Sequence, residues 1–329
     1  MGNHLLEIEN LQVQYNTDEA VVHAVNGLTL TLDKGEALGV VGETGAGKST
    51  TALSILKLLP AKVGEITGGK IHYDGIDILK ADNNAMRRIR GARIAMIFQD
   101  PMSSLNPIMT IGEQIHEVLE LHFPQMSAEE RNHKVDEILG LVGIQKGRKN
   151  EYPHQFSGGM KQRIGIAMAL VAEPELLLAD EPTTALDVTI QAQILQLMQE
   201  LQKKYNTAMI LITHDLGVVA EFCEKVVVVY AGEVIEQGTV EDIFTREMNH
   251  PYTVGLFNSI PDLTSKVERL VPIPGFMSDP INLPKGCKFA ERCSQCTERC
   301  RSEAPGSYTA GTHSIRCFLY ERSDKGGES

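Results

Sequence analysis

The sequence predicts an α/β protein: a largely parallel sheet core, an antiparallel β region beside it, a helical insert, and a small irregular C-terminal segment. Three observations carry this. Short apolar runs alternate with stretches of helical spacing, the pattern of strands joined by crossover helices. The first strands are joined by short turns, which suits antiparallel pairing. A Gly-rich turn, GETGAGKS (42–49), lies between an apolar strand and a helix, the context that a phosphate-binding loop requires.

The elements follow in order. LEIENLQVQY (6–15) and AVNGLTLTL (24–32) partly alternate apolar and polar residues and read as strands of a half-exposed sheet. EALGVV (36–41) is a buried strand, and STTALSILKLL (49–59) has helical spacing. KIHYDGIDI (70–78) reads as a hairpin around Asp74-Gly75, and RIAMIF (93–98) as another buried strand. From about 102 to 172 the pattern is helical, with Ser127 and Glu130 as a capping box. ELLLAD (175–180) and AMILIT (208–213) are buried strands around a helix at about 188–204. KVVVVYAGEVIEQG (225–238) is a hairpin turning at Ala231-Gly232. These elements form one nucleotide domain over 1–250, without internal repeat. Residues 251–329 form an extension stiffened by Pro251, Pro261, Pro272, Pro274, Pro280 and Pro284, ending in RSDKGGES, which reads as disordered.

With 329 residues the chain can bury a large core, and its formal charge of -12 argues against a protein that coats nucleic acid. No apolar run is long enough to span a bilayer. The start, MGNHLLEIENL, lacks the regions of a signal peptide, so the chain is expected in the cytoplasm. A reducing compartment disfavours disulfides and turns clustered cysteines towards metal.

The chemistry concentrates in a few stretches. In GETGAGKS, backbone amides would curl around phosphate oxygens, Lys48 would reach the β and γ phosphates, and Ser49 would bind Mg²⁺. LLLADE (176–181) ends a strand in two carboxylates. Asp180 would hold Mg²⁺ through its water shell and Glu181 would polarise the attacking water. Gln99 and His214 also follow buried strands, on the side of an α/β sheet where ligands sit. FSGGM (156–160) opens a helix with Ser157 as its cap. It reads as a second anion-binding helix start, one that serves another subunit.

With these motifs in this order, the chain resembles an ATP-binding-cassette (ABC) ATPase, a phosphate-loop NTPase that serves a membrane transporter. The resemblance covers about residues 5–250. It implies that Gly42, Glu43, Thr44, Gly45, Ala46, Gly47, Lys48, Ser49 and Thr50 form the Walker A contacts, and that Asp180 and Glu181 form Walker B. Gln99 is then the Q-loop residue, a Mg²⁺ ligand with Ser49; His214 is the switch histidine; Ala185, Leu186 and Asp187 form the D-loop. Ser157, Gly158 and Gly159 carry the signature, and Tyr15 falls where an aromatic stacks on adenine. The implied mechanism sandwiches ATP between the Walker A loop of one domain and the signature helix of the other.

YPHQFSGGMKQR (152–163), HPYT (250–253) and the cysteine segment further resemble the dipeptide and oligopeptide importer ATPases. Met160 in the signature marks the first type of their two subunits. Expected partners are therefore a second ABC ATPase subunit, two membrane permease subunits and, indirectly, an extracytoplasmic binding protein, with no nucleic acid. The place is the cytoplasmic face of the membrane. The rival is a soluble ABC-type ATPase of DNA repair or translation, whose characteristic insertions or paired cassettes are not seen.

CKFAERCSQCTERC (287–300), with Cys317, holds five of the six cysteines. Four thiolates suit either [4Fe–4S] or tetrahedral Zn²⁺, and Cys293-x2-Cys296 is also a zinc half-site; metal-free thiols or a disulfide are the other readings. The resemblance favours [4Fe–4S] on Cys287, Cys293, Cys300 and Cys317, leaving Cys296 unbound. Lys285, Lys288, Arg292, Arg299 and Arg301 are read as offsetting the anionic site. The segment is expected to stand apart from the ATP chemistry.

Overall fold

A computed structural model of the chain describes residues 4–100, 104–184, 186–245, 248–259 and 272–321. Ala185, Pro261, the first residues of the helical insert and the RSDKGGES tail lie outside the described residues.

Two sheets are stacked. The smaller contains β1 (Leu6–Asn16), β2 (Val21–Leu32), β4 (Gly64–Tyr73) and β5 (Ile76–Asp77), in the antiparallel order β2-β1-β4-β5. Its hairpin turns at Asp74-Gly75, both left-handed, as the two-residue turn demands. The larger sheet begins with β3 (Ala37–Val41), β6 (Ile94–Ile97), β7 (Leu176–Asp180), β8 (Ala208–Thr213) and β9 (Lys225–Tyr230), all parallel. β10 (Glu233–Thr239) continues it antiparallel, after a second left-handed turn at Ala231-Gly232.

The helices are α1 (Lys48–Ile55), α2 (Asn83–Ile89), α3 (Ile111–His122), α4 (Ala128–Leu141), α5 (Gly158–Leu170), α6 (Val188–Tyr205), α7 (Leu216–Phe222), α8 (Val240–Phe244), α9 (Pro251–Asn258) and α10 (Glu298–Ser302). The Ser127–Glu130 capping box opens α4 as its sequence predicts, and Thr110 with Glu113 opens α3 in the same way. One apolar core lies between the two sheets, and another fills the space between the larger sheet and the helices α3 to α6. Among the described residues no helix is long and apolar enough to cross a membrane.

Two elements differ from expectation. α1 stops at Ile55 although the apolar pattern runs to Leu59. Lys57 is left-handed, and the Arg90 guanidinium takes the carbonyls of Leu56 (2.7 Å) and Lys57 (2.9 Å), capping the helix end from outside. The C-terminal extension is more regular than its proline content predicts. β11 (Tyr308–Ala310) and β12 (His313–Ile315) form a hairpin that joins the larger sheet through β10, pairing Glu236 with Ile315. Glu236, fully buried, anchors this junction. Its carboxylate meets His313 Nε2 at 2.8 Å and accepts from Asn249 Nδ2 (2.8 Å) and the His250 amide (2.8 Å). A buried polar group with three partners is a satisfied one. Tyr230, Tyr252 and Phe289 meet edge to face beneath the segment, so the extension shares a core with the sheet it covers.

Candidate functional site

The site lies at the C-terminal ends of β3, β8, β7 and β6, adjacent in the larger sheet. β3 is buried throughout and delivers the chain into GETGAGKS. Gly47 has φ +96°, and a Cβ there would strike the carbonyl of Ala24, so the turn into α1 needs glycine. Lys48 is buried, and its Nζ donates to the carbonyls of Gly42 (2.7 Å) and Glu43 (3.0 Å). Burial pulls its pKa down, against the opposing pull of Glu181, Asp180 and Glu43.

Ser49 Oγ donates to Asp180 Oδ1 at 3.0 Å. Burial pushes the Asp180 carboxyl up, and the Ser49 bond works against it. One residue on, Glu181 takes φ +45°, rare for a residue with a side chain. This turn aims its carboxylate back across the strand ends. Oε2 accepts from Gln99 Nε2 (2.9 Å) and Thr184 Oγ1 (2.9 Å), and Oε1 lies 3.5 Å from His214 Nδ1. Burial raises the pKa of Glu181, but Thr184, His214 and Lys48 outweigh it, and the net shift is downward. The structure thus brings Lys48, Ser49, Asp180, Glu181, Gln99 and His214 to one place. Tyr15 stands beside them, its hydroxyl 3.1 Å from Thr50 Oγ1.

Ser157 and Asp187 form a second group. Ser157 caps α5 by accepting from the Met160 amide, and Asp187 caps α6 by accepting from the Ile190 amide. A Cβ on Gly159 would lie 2.7 Å from Ile190 Cγ2, so these two helix starts press together where only glycine fits. Gln162, further along α5 and buried, donates to the carbonyl of Pro182, next to Glu181.

Sequence reasoning missed Thr184, Gln162, Tyr252 and Arg292. Tyr252 accepts from the Glu43 amide at 2.9 Å, and Arg292 holds the Glu43 carboxylate with two nitrogens, at 2.7 and 3.0 Å. The cysteine segment thus touches the phosphate loop, a contact that the sequence does not announce. Arg292 is also withdrawn from the set of cations assigned to the cysteines, as is Arg299, which pairs with Glu303 and Glu321 and stacks on Phe318. No local pattern signals a contact between residues so far apart in the chain.

Cys287, Cys293, Cys300 and Cys317 line one cavity of about 100 Å³, and Cys296 is not part of its wall. All six cysteines are free. Among the described residues no group of three or more His, Cys, Asp or Glu side chains is arranged to hold a metal ion. Burial pushes the Cys287 thiol up to about 11 and raises those of Cys293 and Cys317. Cys300 is shifted down, because bonds from Thr297 overcome its slight burial. Cys223 packs against the core, its thiol pushed up to about 12 by burial. A larger, mostly apolar cavity of about 290 Å³ opens between β6 and the helices α3 and α5. The exposed Leu58, Phe98 and Leu121 stand on its wall.

A phosphate loop, a carboxylate-tipped strand and a helical insert on a parallel sheet define the class of nucleotide-binding cassettes. Residues 25–184 match the family model described as ABC transporter, and residues 235–300 match that of the oligopeptide/dipeptide transporter C-terminal region. The chain is 50% identical to the oligopeptide transport ATP-binding protein OppD of Haemophilus influenzae, over 96% of this chain and 98% of the relative. It is 46% identical to the oligopeptide transport ATP-binding protein AppD of Bacillus subtilis (96% and 97%) and 47% identical to the dipeptide transport ATP-binding protein DppD of that organism (97% and 95%). Among solved structures, the ATP-binding cassette MJ0796, as a dimer in a post-hydrolysis state bound to ADP and Pi, superposes with a TM-score of 0.64 at 30% identity. That match covers 71% of this chain and 98% of the cassette. The chain belongs to the ABC transporter family, in its branch of oligopeptide and dipeptide transport ATP-binding proteins.

Proposed function

We propose that this chain is the ATP-hydrolysing subunit that powers an importer of dipeptides or oligopeptides. The observation that carries the reading is the convergence of Gln99, Thr184 and His214 on Glu181, beside Lys48 and Ser49. ATP is the substrate. Its phosphates would lie in the turn of residues 42–50, under Lys48, with adenine against Tyr15. Mg²⁺ suits a hydroxyl facing a carboxylate, both hard oxygen donors. Ser49 and Gln99 would hold it, Asp180 would bind through its water shell, and the ion would offset phosphate charge. Glu181 is kept ionised by Thr184, His214 and Lys48, so it is ready to take a proton from water. His214 steers that carboxylate.

Ser157, Gly158, Gly159 and Asp187, grouped at the first turns of α5 and α6, would complete the ATP site of a second ATPase subunit. In the cell that subunit is a related partner; in isolation it is a second copy. One of two membrane permease subunits would dock at the apolar cavity lined by Phe98, the residue before Gln99, so that a transporter contact would adjoin the Q-loop. This holds the chain on the cytoplasmic face of the membrane, and an extracytoplasmic binding protein selects the solute. The cysteine cavity would hold [4Fe–4S]. What supports this reading is the family resemblance and the shared cavity wall, to which Cys287, Cys293, Cys300 and Cys317 all contribute; four thiolates suit Zn²⁺ as well.

The test is purification from native membranes, identification of the co-purifying subunits and uptake assays in proteoliposomes. ATP-dependent accumulation of short peptides is expected. Uptake of nickel or sugars but not peptides would overturn the substrate class, and recovery without any permease would overturn the transporter reading.

A further inference from the structure

Glu43 is the second residue of GETGAGKS, and each of its polar groups is held. Its carbonyl accepts from Lys48 (3.0 Å), its amide donates to Tyr252 Oη (2.9 Å), and its carboxylate takes both terminal nitrogens of Arg292. Two of these three partners come from beyond residue 250. The Arg292 side chain is 4% exposed; its Nε donates to the Pro274 carbonyl (2.9 Å), and its guanidinium lies by the rings of Tyr230 and Phe289. It ends the turn Ala290–Arg292, directly before Cys293, so the stretch that gathers the cysteines also aims the guanidinium. The same segment reaches over the loop at a second point, where Met277 Cε sits 3.0 Å from the Cβ position of Gly45. It is tied to β2 by the His23 amide, which donates to the Pro280 carbonyl (2.8 Å).

We propose that Arg292 is a positioning residue for nucleotide binding: it braces the phosphate loop through Glu43, and so makes the cysteine-bearing segment part of the ATP site. This rests on the loop being an ATP site, as proposed above. A bidentate guanidinium–carboxylate pair fixes orientation as well as charge. Without Arg292, Glu43 keeps a negative charge beside a loop shaped for a polyphosphate, and the loop loses a contact that sets its shape before the ligand arrives. Both effects weaken ATP binding. Neither acts on the reacting atoms, because Arg292 grips the outer edge of the loop and Glu181 stands at the strand ends.

The experiment measures, on the purified full-length chain, the Kd of a Mg²⁺-bound non-hydrolysable ATP analogue by calorimetry, and KM and kcat for ATP. Arg292→Met is expected to raise Kd and KM about 10-fold, the size of one lost coupled pair, with kcat changed much less. Arg292→Lys, which keeps the charge but not the fork, falls between the two. Adding Glu43→Gln to Arg292→Met recovers most of the affinity, since it removes the uncompensated carboxylate. Thermal unfolding verifies that each variant is folded, and if Arg292→Met is not, the Lys variant and the double variant carry the test. Wild-type affinity in the Arg292 variants, a loss confined to kcat, or a double variant weaker than the single one overturns the proposal. Failure of the wild-type chain to bind the analogue overturns instead the ATP reading on which it rests.

Discussion

Glu181 is held with φ at +45° by its place between a buried strand and the Gln99, Thr184 and His214 side chains. A non-glycine residue in that region costs about 1–3 kcal/mol and persists only where its surroundings enforce it. Such strain suits a side chain whose aim matters more than its stability. The identity of this residue was legible in the sequence, because two carboxylates end an apolar strand downstream of a phosphate loop. Its backbone twist was not, since two of the three side chains that meet it, Gln99 and His214, come from other strand ends. Two predictions belong here. His214→Ala should lower turnover by about 10²-fold, the lower range for a positioned proton transfer, here lost because the Glu181 carboxylate is no longer steered, with nucleotide affinity retained. Unchanged turnover in a phosphate-release assay removes His214 from the mechanism. Lys48→Met should abolish measurable binding of Mg²⁺-ATP in calorimetry, because a buried ammonium aimed into the loop is replaced by an apolar chain; affinity near wild type contradicts the phosphate assignment.

Elements were readable where one run of sequence decides them, as with the β3-loop-α1 unit, the two hairpin turns and the α4 cap. They were not where a distant residue decides: α1 is cut short by Arg90, and the short β11 and β12 exist as strands because β10 offers its edge. Arg93 is a further case. It lies before β6 and joins both sheets by pairing with Asp74 in the β4–β5 turn and with Glu175 before β7. The Arg93 and Lys34 bonds hold the Asp74 carboxyl below its usual range. A depressed carboxylate contributes stability above its unfolded pKa, about 3.9, and loses it as pH falls through the folded value. Arg93→Met should therefore lower the thermal midpoint at neutral pH, with the gap to wild type closing in strong acid. A gap independent of pH would show that packing, not the ion pair, joins the sheets. At the start of α5, Ser157→Arg places a long cation where a second subunit's phosphates are proposed to sit. ATP-driven association in the Glu181→Gln background should be lost while ATP binding persists. Retained association counts against a role across the dimer.

At the scale of the whole molecule, the cysteine extension is no appendage. Its hairpin lengthens the larger sheet, its aromatic residues share the core around Tyr230, and Arg292 reaches the phosphate loop. The cysteine spacing and the family resemblance marked the segment as a metal-stapled tail, and only the fold shows it touching the loop. If the cavity holds [4Fe–4S], protein purified without oxygen is brown and carries about four iron and four sulfide per chain. Cys317→Ser should lose both and Cys296→Ser should keep them; a colourless, zinc-containing preparation reverses the choice of metal. The central claim is that this cassette hydrolyses ATP through a carboxylate that its fold aims and keeps ionised. Single-turnover phosphate release from Glu181→Gln tests it most directly. ATP bound as tightly as by wild type, with release slowed by about 10²-fold or more, is the predicted result. Release at the wild-type rate would contradict the account.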